Sequence, residues 1–250
     1  MPKLGFGVDI GGSGIKGAVV DLAVGGLATE RYKVLTPRPS TPGAVADVVA
    51  EVVGQFGWEG PVGCTFPAVV REGVARTAAN VDSSWIGTNV ESVVSSATGL
   101  PVVAVNDADA AGLAEVRWGA GKDVNGLVVV VTLGTGIGTA LIYNGALIPN
   151  SELGHIELDG EDYERKASAG ARDREDLPWD KWAKRLQRYF SAIEALLWPD
   201  LFIVGGGVSR RAEKFLPMVT LNTPIVPALL QNEAGIAGAA YLAAEATKTK

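Results

Sequence analysis

The chain has 250 residues, 47% hydrophobic and 20% charged, with a formal net charge of −6. That length fits one large domain or two of roughly 125 residues, and the acidic balance excludes a protein that binds nucleic acid with its whole surface, though not a local basic patch. The lone Cys64 excludes an intramolecular disulfide and a cysteine-rich zinc cluster.

The opening segment MPKLGFGVDI lacks the long apolar stretch of a signal peptide. No run approaches the roughly 18–20 apolar residues of a membrane span. A cytoplasmic protein is expected, with neither membrane nor nucleic acid as partner. In chain order, the β-rich runs are FGVDI, GAVVDL, PVGCTF, PVVAVND, LVVVVTL, TALIYNG and LFIVGGG. Several are continuously apolar, as strands covered on both faces of a sheet are. Helical segments lie between them. TPGAVADVVAEVVGQF opens with Thr41 as a candidate N-cap and Pro42 at the first helical position. NDADAAGLAEVRWGAG and PWDKWAKRLQRYFSAIEALLWP follow, and EAGIAGAAYLAAEA closes the chain. Strands mixed with helices predict an α/β fold.

Two stretches share one plan. DIGGSGIKGAVV (9–20) and TLGTGIGTALI (132–142) each run from an apolar strand through a polar residue and a glycine turn into a second apolar run. Their starts lie 123 residues apart, about half the chain. Two related lobes facing a cleft are the economical interpretation. The expected lobes are 1–109 and 110–250, which leaves open a return of the last helix to the first.

Gly12, Gly14 and Gly17 fit the spacing GxGxxG, but a dinucleotide site needs a helix directly afterwards. Here the β-branched run AVVDL follows, so the turn reads as a hairpin. A glycine hairpin can still hold phosphate, because backbone N–H groups without neighbouring Cβ atoms converge on an anion. Asp9 suits a hydrated Mg²⁺ and Lys16 suits a phosphate oxygen. The competing interpretation is that these glycines only make tight turns. In PVVAVNDADAAG a buried strand ends at Asn106 and Asp107, where ligands gather in open α/β sheets. A carboxylate there is a candidate for chemistry, or else Asp107 or Asp109 caps the helix.

Together DIGGSGIKGAVVD, NDADAAG, LGTGIGTALI and ELGHIELDG resemble the ROK family of sugar kinases, within the actin/hexokinase-like superfamily. The likeness is strongest to members that phosphorylate O6 of glucose from inorganic polyphosphate. The resemblance implies a two-lobed, ribonuclease H-like α/β fold with a central cleft, Mg²⁺ as cofactor and a homodimer. It assigns Asp9, Gly11, Gly12, Ser13 and Lys16 to a first phosphate loop, and Thr132, Gly134, Thr135, Gly136 and Gly138 to a second. Asp107 matches the catalytic base, with Asp9 reaching Mg²⁺ through water. Asn106, Glu152 and His155 match sugar ligands. Many family members follow the histidine with the zinc motif CxCGxxGCxE, which this chain lacks. Glu164, Ala167 and Ser168 nonetheless keep the offsets of that motif's end, so the third sugar ligand is carried onto Glu164 and no zinc site is expected. His155, the only histidine, then clamps sugar between Glu152 and Glu164.

The donor is the harder question. Eight of the 22 basic residues lie from Arg165 to Arg188. Lys181, Lys184, Arg185 and Arg188 share one helical face, with Trp179, Trp182, Leu186 and Tyr189 on a largely separate one. The basic face suits a long polyanion such as polyphosphate, with ATP as an alternative or additional donor; the competing interpretation is a solvated surface. An ATP-dependent ROK kinase for another hexose or an amino sugar is the alternative activity. A non-catalytic sugar sensor is the third; retention of Asp9, Lys16 and Asp107, and a phosphate strand that begins by Leu4, argue against it.

Overall fold

The computed structural model describes residues 3–78 and 81–247. They divide into two compact units, one running to Ala114 and resuming at Glu233, the other Glu115–Asn232. The first unit contains β1 (Leu4–Gly11), β2 (Gly14–Asp21), α1 (Pro42–Gly54), β3 (Val62–Phe66), α2 (Val90–Thr98) and β4 (Val102–Asn106). Next comes α3 (Asp107–Trp118), and the boundary between the units falls within it. The central strand order is β2-β1-β3-β4, with Gly26–Leu27 and Tyr32–Val34 also pairing with β2. β1 and β2 are antiparallel, whereas β1, β3 and β4 are mutually parallel neighbours. The motif at Gly12 is therefore a hairpin, closed by the pair Gly11 and Gly14.

In the second unit, β5 (Leu127–Leu133) and β6 (Ile137–Tyr143) form the corresponding antiparallel hairpin. With β7 (Ala146–Ile148), β8 (Leu201–Gly205) and β9 (Ile225–Pro227), the sheet order is β7-β6-β5-β8-β9. Here too the first hairpin strand has parallel neighbours, β5 beside β8 and β8 beside β9. The repeated sequence plan thus corresponds to a repeated strand topology. One face of this sheet is covered by α4 (Trp179–Leu197), whose Trp182, Leu186, Tyr189, Phe190 and Ile193 are fully buried with Val129, Val131, Phe202 and Val204.

Alternation along β1 decides the first unit's packing. Phe6, Val8 and Ile10 join Val45, Val49 and Val52 of α1 in one core cluster. The intervening positions Gly5 and Gly7 face α5 (Ala234–Ala246), where a Cβ on Gly7 would drive into the Ile236 carbonyl. Gly63 of β3 stands in the same relation to the Ala239 carbonyl. Glycine here answers to space, since neither residue has a positive φ. Cys64, on the same strand as Gly63, is buried, which pushes its thiol up to about 12 and leaves it unreactive. Among the described residues no helix is long and apolar enough to cross a membrane.

Candidate active-site residues

Asp9 follows Gly5 and Gly7 on the α5 face of β1. The register sets it beside Lys16 on β2 and Thr65 on β3. Its Oδ1 accepts the Thr65 hydroxyl at 2.9 Å, and its Oδ2 lies 3.3 Å from the Lys16 ammonium. Gly235, at the start of α5, leaves room at this carboxylate: a Cβ there would stand 3.9 Å from Asp9 Oδ1. Gly12 and Ser13 form the exposed two-residue turn, and the Thr36 hydroxyl donates to the Gly11 carbonyl. Thr65 is a polar member of this group that the sequence reading passes over. Its signal was a lone hydroxyl in the otherwise apolar run PVGCTF, which on its own also suits a buried strand.

Asn106 ends β4, and its Oδ1 accepts the N–H groups of Ala108 at 2.8 Å and Asp109 at 3.2 Å. Asn106 therefore caps α3, the place for which the sequence offered Asp107 or Asp109 as the alternative to a chemical role. Its Nδ2 donates to the Ala68 carbonyl at 3.1 Å. Since an amide nitrogen carries two hydrogens, one remains beyond that bond for another acceptor. Asp107 is exposed with its Oδ1 at 2.9 Å from the Ala108 N–H, whereas Asp109 is buried.

In the second unit, Thr132 pairs with Gly138 across the β5–β6 hairpin. Gly134 donates to the Gly136 carbonyl at 2.9 Å, and the Gly134 carbonyl accepts from Gly170 N–H at 2.9 Å, so Thr135 lies in a closed turn. Glu164, at the head of the short helix Glu164–Ala167, accepts the Ile137 N–H on Oε2 at 2.7 Å. A Cβ on Gly136 would collide with that same carboxylate. Glu152 and His155 lie in the loop before it, around a 3₁₀ turn at Leu153–His155. Thr139 ties this loop to β6, donating to the Ser151 carbonyl at 2.8 Å and accepting from Leu153 N–H at 3.1 Å.

His155 Nε2 is 3.8 Å from Glu152 Oε2, and its Nδ1 is 3.0 Å from Asp162 Oδ2. The histidine thus takes its closer bond from Asp162, a residue the sequence reading left out. That hydrogen bond raises the imidazole above its ordinary 6.5; partial burial opposes, and the carboxylates of Glu164, Asp162 and Glu152 add to the rise. Burial raises the Glu152 carboxyl, His155 opposes, and the charge of Glu164 reinforces it. Because the folded His155 binds its proton more tightly than the unfolded chain does, the contribution to stability is complete below about pH 6.5. It is lost as pH rises through the higher folded value. Thermal melts between about pH 5 and 8 should show this loss in the native chain and a smaller one in Asp162→Asn, where Glu164 and Glu152 still face the imidazole. Parallel pH profiles in the two proteins would remove the pair from the account.

The basic face of α4 is partly committed. Arg185 holds Glu175 through two nitrogens, at 2.6 and 3.1 Å, and donates to the Lys166 carbonyl at 3.0 Å. Arg188 lies 3.0 Å from Asp159. Lys181 and Lys184 are exposed. The sequence spacing puts four cations on a face but does not disclose the two acidic residues, from other segments, that meet half of them. Among the described residues, no group of three or more His, Cys, Asp or Glu side chains is placed to hold a metal ion.

The ROK family model matches residues 5–173. The polyphosphate glucokinase of Mycobacterium tuberculosis is 57% identical over 237 residues, which are 94% of this chain and 89% of that protein. Among solved structures, the inorganic polyphosphate/ATP-glucomannokinase of Arthrobacter sp. strain KM is 54% identical, with a TM-score of 0.92 over 98% of this chain and 99% of that one. The ROK family glucokinase of Streptomyces griseus, in complex with glucose and AMPPNP, is 27% identical with a TM-score of 0.84, over 97% and 100% of the two chains.

Proposed function

Because this chain belongs to the ROK family, we propose that it is a polyphosphate-dependent glucokinase, transferring a phosphoryl group from inorganic polyphosphate to O6 of glucose. The observation that carries the reading is likeness, over 94% of the chain, to an enzyme of that name. The fold is the α/β, actin/hexokinase-like fold of its structural relatives. ATP is proposed as a second donor, as the Arthrobacter relative's name records for that enzyme.

Phosphoryl transfer needs a base for the attacking hydroxyl, a cradle for the donor and compensation of its charge. Asp107 is proposed as the base. Its position at the head of α3 leaves the carboxylate exposed, while Asn106 takes over the capping. Glu152, His155, Glu164 and the remaining N–H of Asn106 are proposed to hold the sugar hydroxyls, which both donate and accept. The turn residues Gly11, Gly12 and Ser13, with Lys16, and the second turn from Thr132 to Gly138 are proposed to take donor phosphates. Asp9 suits a hydrated Mg²⁺: a single partly exposed carboxylate, with phosphates supplying further oxygens, is how that ion is commonly held. Bound there, the ion would offset negative charge on the donor. A homodimer in the cytoplasm completes the proposal, supported by family resemblance.

The test is formation of glucose 6-phosphate with polyphosphate and, separately, with ATP, over a panel of hexoses. Product from ATP alone would overturn the polyphosphate reading, and product from another sugar alone would overturn glucose. The basic helix face is tested by the fourfold Gln variant at Lys181, Lys184, Arg185 and Arg188. If this face tracks the polymer, kcat/KM for long polyphosphate should fall roughly 10-fold while that for ATP changes little. The loss should shrink as salt rises, since released counterions supply much of such affinity. Equal losses with both donors would mark an ordinary solvated face.

A further inference from the structure

The first glycine turn has a second cation. The strand Tyr32–Val34 pairs with β2 so that Lys33 stands opposite Lys16. Asp9 flanks Lys16 on its other side, and Thr65 lies beyond it. One row across four strands therefore reads Lys33, Lys16, Asp9, Thr65. Directly opposed side chains on neighbouring strands share a face at about 4.5–5.5 Å between Cβ atoms, and like charges in such pairs destabilise a sheet. The carboxylate in the row is already engaged by the Lys16 ammonium at 3.3 Å and the Thr65 hydroxyl at 2.9 Å. Lys33 is exposed at the open end.

The side chain of Lys33 does not lean away from the turn. Its Cε occupies the space a Cβ on Gly14 would fill, and its Nζ is 3.4 Å from that position. Gly14 has no positive φ, and its missing Cβ leaves the space that the flexible end of Lys33 occupies. The Thr36 hydroxyl, bonded to the Gly11 carbonyl, tethers the same segment to the turn. The second glycine turn is built the opposite way, since the space beside Gly136 is filled by the Glu164 carboxylate.

We infer that Lys33 is a donor-binding residue, pairing with Lys16 to hold anionic phosphate oxygens at the first glycine turn. The inference rests on the phosphate role proposed for that turn. An anion between the two ammonium groups turns their repulsion into a shared attraction, and it serves ATP and polyphosphate alike, because either presents phosphates at the turn.

Three measurements on Lys33→Gln and Lys33→Arg test it. Steady-state kinetics should show donor KM raised roughly 10-fold in Lys33→Gln with both ATP and polyphosphate, glucose KM unchanged, and substantial recovery in Lys33→Arg. Direct titration with long polyphosphate should give a log affinity against log salt slope shallower by about one. The melting temperature of Lys33→Gln should be unchanged or higher, since a like-charge pair is removed. Unchanged donor KM and salt slope in an otherwise active Lys33→Gln enzyme would overturn this inference and leave the glucokinase reading intact. A wild-type chain that neither binds polyphosphate nor phosphorylates glucose would overturn both.

Discussion

Asp107→Asn should lower kcat by at least about 10²-fold while leaving glucose KM near its original value. Asparagine keeps the size of the side chain and an oxygen able to accept the Ala108 N–H now bonded at 2.9 Å. Helix α3 should therefore start as before, because Asn106 and not Asp107 makes the two-donor cap. What is lost is the capacity to accept a proton from the attacking hydroxyl. The contrast with Asn106→Ala is informative. That change removes the cap and the bond to the Ala68 carbonyl together, so it should lower stability as well as sugar affinity. A wild-type kcat in Asp107→Asn would exclude Asp107 as the base, whatever the sugar affinity.

Gly63→Ala should destabilise the fold by about 1–3 kcal/mol, an effect as large as many core truncations. The added methyl would press into the carbonyl of Ala239, and the carbonyl carbon and the next nitrogen stand behind it. Backbone inside a helix cannot swing aside as a side-chain tip can, so α5 would have to lift from β3. Gly43→Ala is the matched control. Gly43 lies in α1 with nothing within 4 Å of the added atom, so the change should be neutral or stabilising by about 0.4–1 kcal/mol. Urea melts of the two variants would decide. Equal stability in both would mean that α5 does not pack on β3 as described.

Much of the local structure follows from residue order alone. Runs such as LVVVVTL and LFIVGGG specify buried parallel strands because both faces are apolar. The β-branched AVVDL after Gly17 specifies a hairpin where a nucleotide-binding helix was the rival. In α4 the 3.6-residue period separates Trp179, Trp182, Leu186 and Tyr189 from Lys181 and Lys184; the last three of that set are buried and Trp179 is partly so. Helix α2 escaped that reading although Asn89 caps it and Gly99, at φ 71°, ends it. Its apolar signal is short, with only Val90 and Val94 buried. Thr41 shows the reverse: it stands at the N-cap of α1, but its hydroxyl makes no capping bond.

What the sequence by itself determined is the conformation of the strongly patterned segments and the face each of their side chains occupies, because both depend on neighbours within a few positions. The two glycine turns and the strand end at Asn106 were legible for that reason, whereas Glu152, His155 and Glu164 were named only by the family resemblance. Only the tertiary structure decided the partners, because strand register and helix placement join residues far apart in the chain. Thr65 reaches Asp9 across 56 positions, Arg188 reaches Asp159 across 29, and Lys33 meets Lys16 through strand pairing. Hydrogen bonds and charges act over a few ångströms of space whatever the separation in sequence. The identity of a candidate group was therefore local information, and its electrostatic surroundings were not.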